Sequence, residues 1–310
     1  MIKIYQHQQG NLVELPDVVP NTWINIAEPS PSEIATICQK LPWIEEFIND
    51  PLDIDEKARI ERDNELLFTL VRIPVFQGKK EEAPFITIPL GIIIYQEYIV
   101  TICKDQNVIL QDFERNTVKG FSQGKRYRFL LLLLFRIAAK YLKHLREINR
   151  YVEKIEDALH SFMRNEDLIE LLKYQKALVY YATALKSNQL MLKKLSRMEV
   201  FKQYEEDEEL LEDVDIEFQQ AIEMTNIASN ILTQMTSSYA SIINNNMNIV
   251  IKTLTLITIV LYIPTLIASF YGMNVPVPGA DNPYSFVFIL FISLLFCALV
   301  VFIFIRRKWF

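Results

Sequence analysis

The sequence predicts an α+β domain that is followed by a long helix and by a two-helix transmembrane hairpin. Three features of the 310-residue chain support this fold class. Two long apolar runs lie close to the C-terminus, at residues 249–271 and 286–305. Nine of the thirteen prolines fall before residue 90. No proline or glycine occurs between Gly124 and Pro264, so this central region can form uninterrupted helices.

These features divide the chain into seven segments. The predicted bounds are 1–125 for a cytoplasmic α/β domain, 126–207 for a cytoplasmic helical region, 208–248 for a long stalk helix, 249–271 for transmembrane helix 1, 272–285 for an extracytoplasmic loop, 286–305 for transmembrane helix 2 and 306–310 for a basic cytoplasmic tail. Within this order, each segment has its own sequence signal.

The N-terminal segment has the turn residues and alternating apolar side chains of an α/β domain. The predicted strands are residues 22–26, 65–76, 85–94 and 98–103. The last two are expected to pair through a tight turn at Gln96 and Glu97. The stretch Ser30-Pro31-Ser32-Glu33 has serine as N-cap, proline at the first helical position and glutamate three residues after the cap. This pattern predicts a helix with a capping box.

The next segment is predicted to be helical throughout. Its run of five leucines, residues 130–134, could belong to another membrane span or to a buried core helix. Because Arg128 and Arg136 leave only seven apolar residues between them, the pattern favours a core helix. Two antiparallel helices are predicted over residues 149–198, with a break at 164–167.

A heptad-like apolar seam indicates one long helix that begins near Glu208. Nothing interrupts it before the first apolar run, so about 60 residues, close to 90 Å, form a single helix. A lone helix cannot bury such a seam, so it must pack against neighbouring helices or against copies of itself. The seam consists of Val214, Phe218, Ala221, Thr225, Ala228, Leu232, Met235, Tyr239 and Ile242.

Both apolar runs are long enough to span a bilayer. They would measure about 34 Å and about 30 Å as helices, against a hydrocarbon core of about 30 Å. The loop between them has no lysine or arginine, whereas Arg306, Arg307 and Lys308 follow the second run. By the positive-inside rule, both termini are cytoplasmic. The N-terminus lacks the pattern of a cleaved secretory signal. The chain is therefore expected to be an integral membrane protein of a bacterial or archaeal inner membrane.

Composition excludes several classes of function. The formal charge of −6 argues against nucleic acid as a partner. Cys38, Cys103 and Cys297 are widely spaced, which indicates neither a disulfide framework nor a thiolate metal site. The three histidines show no ligand-type spacing. With no catalytic constellation in the sequence, the protein is not expected to be an enzyme.

A stripe of polar side chains follows one face of the first span. Its members recur at steps of three and four residues: Thr255, Thr258, Tyr262, Thr265 and Ser269, with Asn248 seven residues before the first. Such a stripe either lines a water-filled pore or hydrogen-bonds to other helices. Two spans cannot enclose a pore, so the pore interpretation requires several copies of the chain. Pro264 either is tolerated in this span or marks a bend.

The tetrapeptide Tyr271-Gly272-Met273-Asn274 lies where the first span leaves the bilayer on the far side. With Pro264-Thr265-Leu266-Ile267-Ala268-Ser269 before it, the tail Arg307-Lys308-Trp309-Phe310 and the N-terminal Trp23-Ile24-Asn25-Ile26, it resembles the CorA-type divalent-cation transporter family. The resemblance follows the whole chain in order. It implies a homopentamer with a cytoplasmic funnel and a central pore lined by the first spans.

The resemblance also implies roles for single residues. Gly272, Met273 and Asn274 would form the outer selectivity ring, and Asn248 would form a polar ring at the inner mouth. The stripe would line the pore between them. The glutamate that many family members carry after Gly-Met-Asn is missing here, and only Asp281 can supply a negative charge at the mouth.

Nine of the thirteen residues from 205 to 217 are acidic. They form either a solvated helix start or a sensor in which carboxylates of neighbouring subunits share Mg²⁺. The resemblance aligns Asp213 with the sensing aspartate of the family. Its partner in the N-terminal domain is Asp50, Asp53 or Asp55, and the sequence does not choose among them.

The sequence thus favours a pentameric Mg²⁺ channel, driven by the membrane potential and closed by cytoplasmic Mg²⁺. A Zn²⁺ or Co²⁺/Ni²⁺ transporter of the same superfamily is the first alternative, because these transporters share Gly-Met-Asn. The absence of soft ligands around the stripe favours Mg²⁺. A membrane-anchored coiled-coil scaffold without transport activity is the alternative from another class.

Overall fold

The computed structural model describes residues 1–8, 11–118, 120–121, 124–158, 165–274, 279 and 283–307. The chain divides into two compact units, Met1–Gln234 and Met235–Phe310. The first unit contains a β-sheet and the helices packed on it, and the second contains the two C-terminal apolar segments.

The first unit is built on a sheet with seven strands among the described residues. The strands are β1 (Ile2–Gln8), β2 (Asn11–Leu15), β3 (Trp23–Ala27), β4 (Arg59–Asp63), β5 (Leu66–Phe76), β6 (Phe85–Tyr95) and β7 (Tyr98–Cys103). Their order across the sheet is β2-β1-β3-β7-β6-β5-β4. Every neighbouring pair is antiparallel except β3 with β7, in which Trp23 aligns with Ile99 and Ala27 with Cys103.

All four predicted strands are confirmed, with ends within one residue of the predicted ones. Strands β5 and β6 are buried along most of their length, which explains their nearly continuous apolar sequence. The tight turn between β6 and β7 places Gln96 at a φ of 47°, in the left-handed region. Strands β1, β2 and β4 were not predicted. Strand β2 has no buried residue and therefore no alternating apolar signal.

The outer edge of β5 is only partly covered by a strand, because β4 pairs with it from Leu66 to Leu70. Beyond Leu70, a side chain of the fourth helix takes the place of a strand. The Arg72 backbone N–H donates to Asn188 Oδ1 at 2.9 Å, and Asn188 Nδ2 donates to the Arg72 carbonyl at 2.9 Å. The Tyr141 hydroxyl donates to the same carbonyl. These bonds satisfy backbone groups that would otherwise be buried without partners.

Four helices precede the long one. They are α1 (Pro31–Lys40), α2 (Val108–Glu114), α3 (Arg126–Ala158) and α4 (Asn165–Leu195). The capping box predicted for α1 is confirmed: the Glu33 backbone N–H donates to Ser30 Oγ, and the Ser30 backbone N–H donates to the Glu33 carboxylate at 2.8 Å. Helix α2, which was not predicted, begins at an N-cap of its own, Asn107.

Helix α3 lies in the core of the first unit. Four of its five consecutive leucines are fully buried, which confirms a core helix and not a third span. The ring of Tyr141 lies 4.9 Å from that of Tyr181, and the ring of Tyr151 lies 4.4 Å from that of Tyr174. Because these pairs run in opposite sequence directions, α3 and α4 are antiparallel, as predicted. The predicted break at 164–167 lies partly outside the described residues.

His144 on α3 makes the stability of the protein pH-dependent. Its ring is buried, with Nδ1 2.7 Å from the Tyr181 hydroxyl. Burial, and to a lesser extent Lys140 and Lys143, lowers the pKa of His144 from 6.5 to about 3. The unfolded chain therefore binds this proton first, and stability is lost as the pH falls from 6.5 towards 3. We expect the free energy of unfolding to be about 2 kcal/mol lower at pH 5 than at pH 7.5.

Thermal unfolding of the full chain in detergent measures this effect. His144→Gln keeps a polar group but cannot be protonated, so its melting temperature should depend less steeply on pH than that of the parent. Equal pH slopes for the two proteins would contradict the assignment.

Helix α5 (Glu205–Tyr271) is a single helix of 67 residues, as the seam predicted. From Val214 to Leu232, every member of the seam is buried in the first unit. Met235 and Tyr239 are buried as well, whereas Ile242 is 45% exposed. Between residues 240 and 251 every residue is exposed in the single chain.

The second unit contains the two predicted spans. Within the described residues, α5 and α6 (Ser285–Arg306) are the helices long and apolar enough to cross a membrane. In the most apolar stretch of α5, none of the residues is buried within the chain. In the most apolar stretch of α6, 11% of the residues are buried. The two helices are in contact, since the Cys297 thiol on α6 lies 3.3 Å from the Val260 carbonyl oxygen on α5.

Candidate functional site: a polar stripe, a terminal amide and acidic segments

The stripe of polar side chains lies on the face of α5 that is turned away from α6. Val260, whose carbonyl contacts α6, is half-buried, as are Leu256, Ile259 and Ile263 on the same face. The members of the stripe are exposed, and the Tyr262 side chain is 64% exposed. The stripe therefore lies on the face opposite the one through which α5 contacts α6, although contacts between helices are the usual role of hydroxyls in membrane helices.

Each threonine hydroxyl of the stripe donates its hydrogen bond to a backbone carbonyl of its own helix. Thr255 Oγ1 donates to the Ile251 carbonyl at 2.8 Å, Thr258 Oγ1 to the Leu254 carbonyl at 2.8 Å and Thr265 Oγ1 to the Leu261 carbonyl at 2.9 Å. Each hydroxyl oxygen keeps lone pairs that can accept a further hydrogen bond. The stripe thus presents a column of acceptors, which suits ligands that present hydrogens, such as the water shell of a cation.

The terminal segment, Gly272 to Asn274, directly follows the last turn of α5. The Gly272 N–H donates to the Ala268 carbonyl at 2.9 Å, so the helical hydrogen bonding continues to this residue. The φ of Gly272 lies outside the left-handed region, and a Cβ there would lie 3.4 Å from the Ala268 carbonyl oxygen and 3.7 Å from that of Ser269. Met273 and Asn274 are exposed. In the described part of the chain, the Asn274 amide makes no hydrogen bond. Asp281, the predicted mouth charge, lies outside the described residues.

Asn248 lies seven residues before Thr255 on the same face of α5. It is exposed within the single chain, as are its neighbours. Asn248 directly precedes residue 249, where the predicted span begins, so its amide continues the column of acceptors at the opposite end from Asn274.

The acidic start of α5 is only partly neutralised within the chain. Arg128 Nη1 lies 2.8 Å from Glu206 Oε2 and 2.9 Å from Asp207 Oδ1. Asp213 is exposed and makes no ion pair among the described residues. Those residues contain no cluster of three or more acidic, histidine or cysteine side chains that could hold a metal.

The three N-terminal candidates differ in their surroundings. Asp50 forms an ion pair with Arg59, which also contacts Glu56 at 2.7 Å. Asp53 Oδ1 accepts a hydrogen bond from the Asp55 backbone N–H at 3.0 Å. Both Asp53 and Asp55 are exposed without an ion pair in the described part of the chain. Asp50 already has a cationic partner, which leaves Asp53 and Asp55 as the better candidates for a cation ligand.

Arg72 holds this acidic segment in place, a role that the sequence analysis missed. Its guanidinium donates to the Ile54 and Glu56 carbonyls, both at 2.7 Å, and to the Thr87 carbonyl at 2.7 Å. Burial lowers the pKa of Arg72 from its usual value. The signal was available, because a single arginine inside an otherwise apolar strand indicates a charge with a specific set of partners. Arg59 is a second arginine with specific partners, since it forms ion pairs with Glu56 and Glu61.

Comparison with known proteins relates this arrangement to one family. The family model described as CorA-like Mg²⁺ transporter protein matches residues 21–307. The cobalt/magnesium transport protein CorA of Methanocaldococcus jannaschii is 28% identical over 293 residues, which are 93% of this chain and 90% of the relative. The complete structure of the CorA magnesium transporter from the same organism matches with a TM-score of 0.85 at 24% identity, covering 100% of this chain and 99% of that one.

A more distant solved structure shares the fold. The full-length CmaX protein matches with a TM-score of 0.73 at 14% identity and covers 99% of this chain and 97% of its own. The similarity therefore includes the sheet, the long helix and the two apolar helices, and is not confined to one of the two units.

Proposed function

This chain belongs to the family of CorA-like Mg²⁺ transporter proteins, and on that premise we propose that it forms a channel through which Mg²⁺ enters the cell. Five copies surround one axis, and α5 of each copy lines the pore. Both termini are cytoplasmic, and the membrane is the inner membrane of a bacterium or archaeon. Co²⁺, which appears with magnesium in the name of the archaeal relative, is a second candidate ion.

One observation carries the pore proposal. The polar stripe of α5 faces away from α6, so its side chains do not hydrogen-bond the two helices of the hairpin to each other. Polar side chains at membrane depth are stable only next to water or to other polar groups. When copies assemble with the stripes facing one another, the stripes enclose water, and the apolar face of each α5 packs on the helices of the outer layer.

The chemistry of the stripe and of Asn274 suits a hydrated cation. Mg²⁺ gives up its octahedral water shell reluctantly. Threonine oxygens, whose protons are already donated to the helix, accept hydrogen bonds from that shell without stripping it. The neutral Asn274 amide does the same at the outer mouth. A ring of carboxylates would bind the ion too tightly for rapid release.

The membrane potential supplies the driving force. A divalent cation that moves inward gains roughly 4.6 kcal/mol per 100 mV, twice the value for a single charge. No nucleotide hydrolysis is needed.

Cytoplasmic Mg²⁺ closes the channel through the acidic segments. Asp213 of one subunit and Asp53 or Asp55 of the next share a Mg²⁺ ion when it is abundant. When the ion is lost, the carboxylates repel one another and the subunits separate at this point, which shifts the population towards the open pore.

Ion flux into proteoliposomes tests this function. A potential is imposed that is negative on the membrane side carrying the cytoplasmic domain. Mg²⁺ should then cross the membrane towards that side without a proton gradient. Mg²⁺, Co²⁺, Ni²⁺ and Zn²⁺ are compared at equal concentration. A preference for Zn²⁺ or for Co²⁺/Ni²⁺ would select the alternative transporter of this superfamily. No flux of any of these ions would select the membrane-anchored scaffold.

Thr258→Val tests the stripe itself. Valine has the same shape but no oxygen, so every subunit loses one acceptor in the pore, and we expect Mg²⁺ flux to fall about threefold to tenfold. Thr253→Val is the matched control, because Thr253 makes the same bond to its own helix, to the Ile249 carbonyl, but lies off the stripe. If both variants lose the same flux, the hydroxyls act through helix stability and not through the pore.

A further inference from the structure

A pocket of about 250 Å³ opens where the hairpin of β5 and β6 meets α3 and α4. Its wall comes from the last residue of β5, the first residue of β6, the loop between these strands and one face of each helix. We call it the hairpin pocket. Sites that enclose a whole drug-sized ligand measure about 300–1,000 Å³, so this pocket can hold one ring system and leave any attached groups at its rim.

The inner wall of the hairpin pocket is aromatic. The Phe85 ring lies 5.0 Å from the Phe76 ring, and the Tyr174 ring lies 4.4 Å from the Tyr151 ring. Phe85 and Tyr174 are buried, so they hold their partners in place. Phe76 is 48% exposed and Tyr151 is half-buried, so these two rings supply the aromatic surface that a ligand can reach. Such a surface binds flat rings, because stacking needs only a π-face.

The rim of the hairpin pocket is cationic. Lys79, Arg150 and Lys154 line it and are exposed, and Glu147 is the single carboxylate among the described residues of the lining. Three cations against one carboxylate leave an excess of positive charge, in a chain whose net charge is −6. In the part of the chain that the structure describes, Arg150 and Lys154 form no ion pair. Their charges are therefore available to an anion from outside the chain.

The loop between β5 and β6 positions Lys79 before any ligand binds. Glu82 of this loop forms an ion pair with Lys176 on α4, at 2.6 Å, which ties the loop to the helix. Lys79 Nζ lies 6.0 Å from the centre of the Tyr151 ring, so a positive charge lies beside the aromatic wall. Groups that are held in place beforehand lose less conformational entropy when a ligand binds.

We propose that the hairpin pocket binds a nucleoside polyphosphate. Its base stacks on the Phe76 ring beside Tyr151, and its phosphates bind the three cations of the rim. Glu147 accepts hydrogen bonds from the ribose hydroxyls, a usual role of a carboxylate in nucleotide sites. This class of ligand combines a flat ring system with several negative charges, so it uses both the wall and the rim. A nucleic-acid strand fits less well, because the pocket admits one ring system and the chain is acidic overall.

Binding of ATP to the full chain in detergent tests the site by isothermal titration calorimetry. A chelator is present throughout, so that removal of divalent cations by the nucleotide cannot produce the signal. We expect saturable binding of one ATP per chain, about tenfold tighter than that of inorganic triphosphate or of adenosine, because only ATP contacts both wall and rim. Absence of ATP binding, equal binding of ATP and triphosphate, or tighter binding of a single-stranded oligonucleotide would overturn the proposal.

Substitution of Phe76 separates the wall from the rim. Phe76→Leu keeps an apolar side chain but removes the ring, so the affinity for ATP should fall about tenfold while that for triphosphate stays the same. Phe76→Tyr keeps a ring and should bind ATP like the parent. A Phe76→Leu chain that melts like the parent and binds ATP equally well would refute the stacking contact.

Substitution of the rim should weaken both ligands. In the double variant Arg150→Gln, Lys154→Gln, we expect the affinities for ATP and for triphosphate to fall about tenfold each, because charge-assisted hydrogen bonds to phosphate are lost. Lys143→Gln, Arg146→Gln is the matched control, since it removes the same charges from exposed positions of α3 outside the pocket. Equal losses in the two double variants would show that the overall charge of the helix governs binding, and the pocket would be refuted. No flux enters these measurements, so their failure leaves the channel proposal standing.

Discussion

Replacing Asn274 with alanine is expected to reduce Mg²⁺ influx into proteoliposomes about a hundredfold. Every subunit would lose the amide oxygen that accepts a hydrogen bond from the water shell of the ion at the outer mouth. A hydrogen bond to a charged partner contributes about 1.5–3 kcal/mol. Removal of the whole ring of amides costs the entering ion at least one or two such bonds, and each 1.4 kcal/mol is a factor of ten.

Two further variants decide what the loss means. Asn226→Ala removes an exposed amide from α5 in the first unit and should leave the influx unchanged. Asn274→Asp keeps an oxygen acceptor but adds negative charge, so we expect the ion to bind more tightly and to leave more slowly. Flux through Asn274→Ala that stays within twofold of the parent would favour the scaffold, since a protein without transport has no use for this amide.

Asp213→Asn is expected to abolish the closure of the channel by cytoplasmic Mg²⁺. The substitution keeps the size of the side chain and removes the charge that would bind the ion between subunits. We expect the Mg²⁺ concentration that halves the influx to rise at least tenfold, while the influx at low Mg²⁺ stays the same. Influx is measured at a series of Mg²⁺ concentrations on the side of the cytoplasmic domain.

The acidic helix offers a matched control for this experiment. Asp215 is exposed two residues away on another face of α5, so Asp215→Asn removes the same charge from the segment without removing the proposed ligand. If Asp213→Asn and Asp215→Asn behave alike, the total charge of the segment governs closure and the assignment to Asp213 fails. Asp53→Asn and Asp55→Asn then identify the partner, and Asp50→Asn should have a weaker effect because Asp50 is paired with Arg59.

Signals that are local in the chain gave most of the fold correctly. The capping box at Ser30, the turn at Gln96 and the two charges that limit the leucine run each lie within a few residues of the structure they predict. The sequence also predicted that α5 is one continuous helix and which of its faces is buried, because the apolar seam repeats without interruption. Strand β2 and the parallel contact of β3 with β7 were not readable, since the first lacks buried residues and the second joins residues more than 70 positions apart.

The candidate site follows the same division. The stripe could be predicted because helical periodicity alone places its members on one face. Its orientation away from α6 could not, since this depends on how two helices pack. The sequence also could not separate Asp50 from Asp53 and Asp55. That distinction arises from Arg59, whose three carboxylate contacts depend on the folded loop and strand.

The edge of β5 is completed by the Asn188 side chain, so this edge stays incomplete during synthesis until α4 has been made. Arg72 and Asn188 are 116 residues apart. At a translation rate of 5–20 residues per second, roughly ten seconds pass between the emergence of the two residues from the ribosome. During that time the end of β5 has unpaired backbone groups, and such edges recruit strands from other chains. Nascent chains are thus most prone to aggregate before α4 has emerged, well before either apolar helix reaches the bilayer.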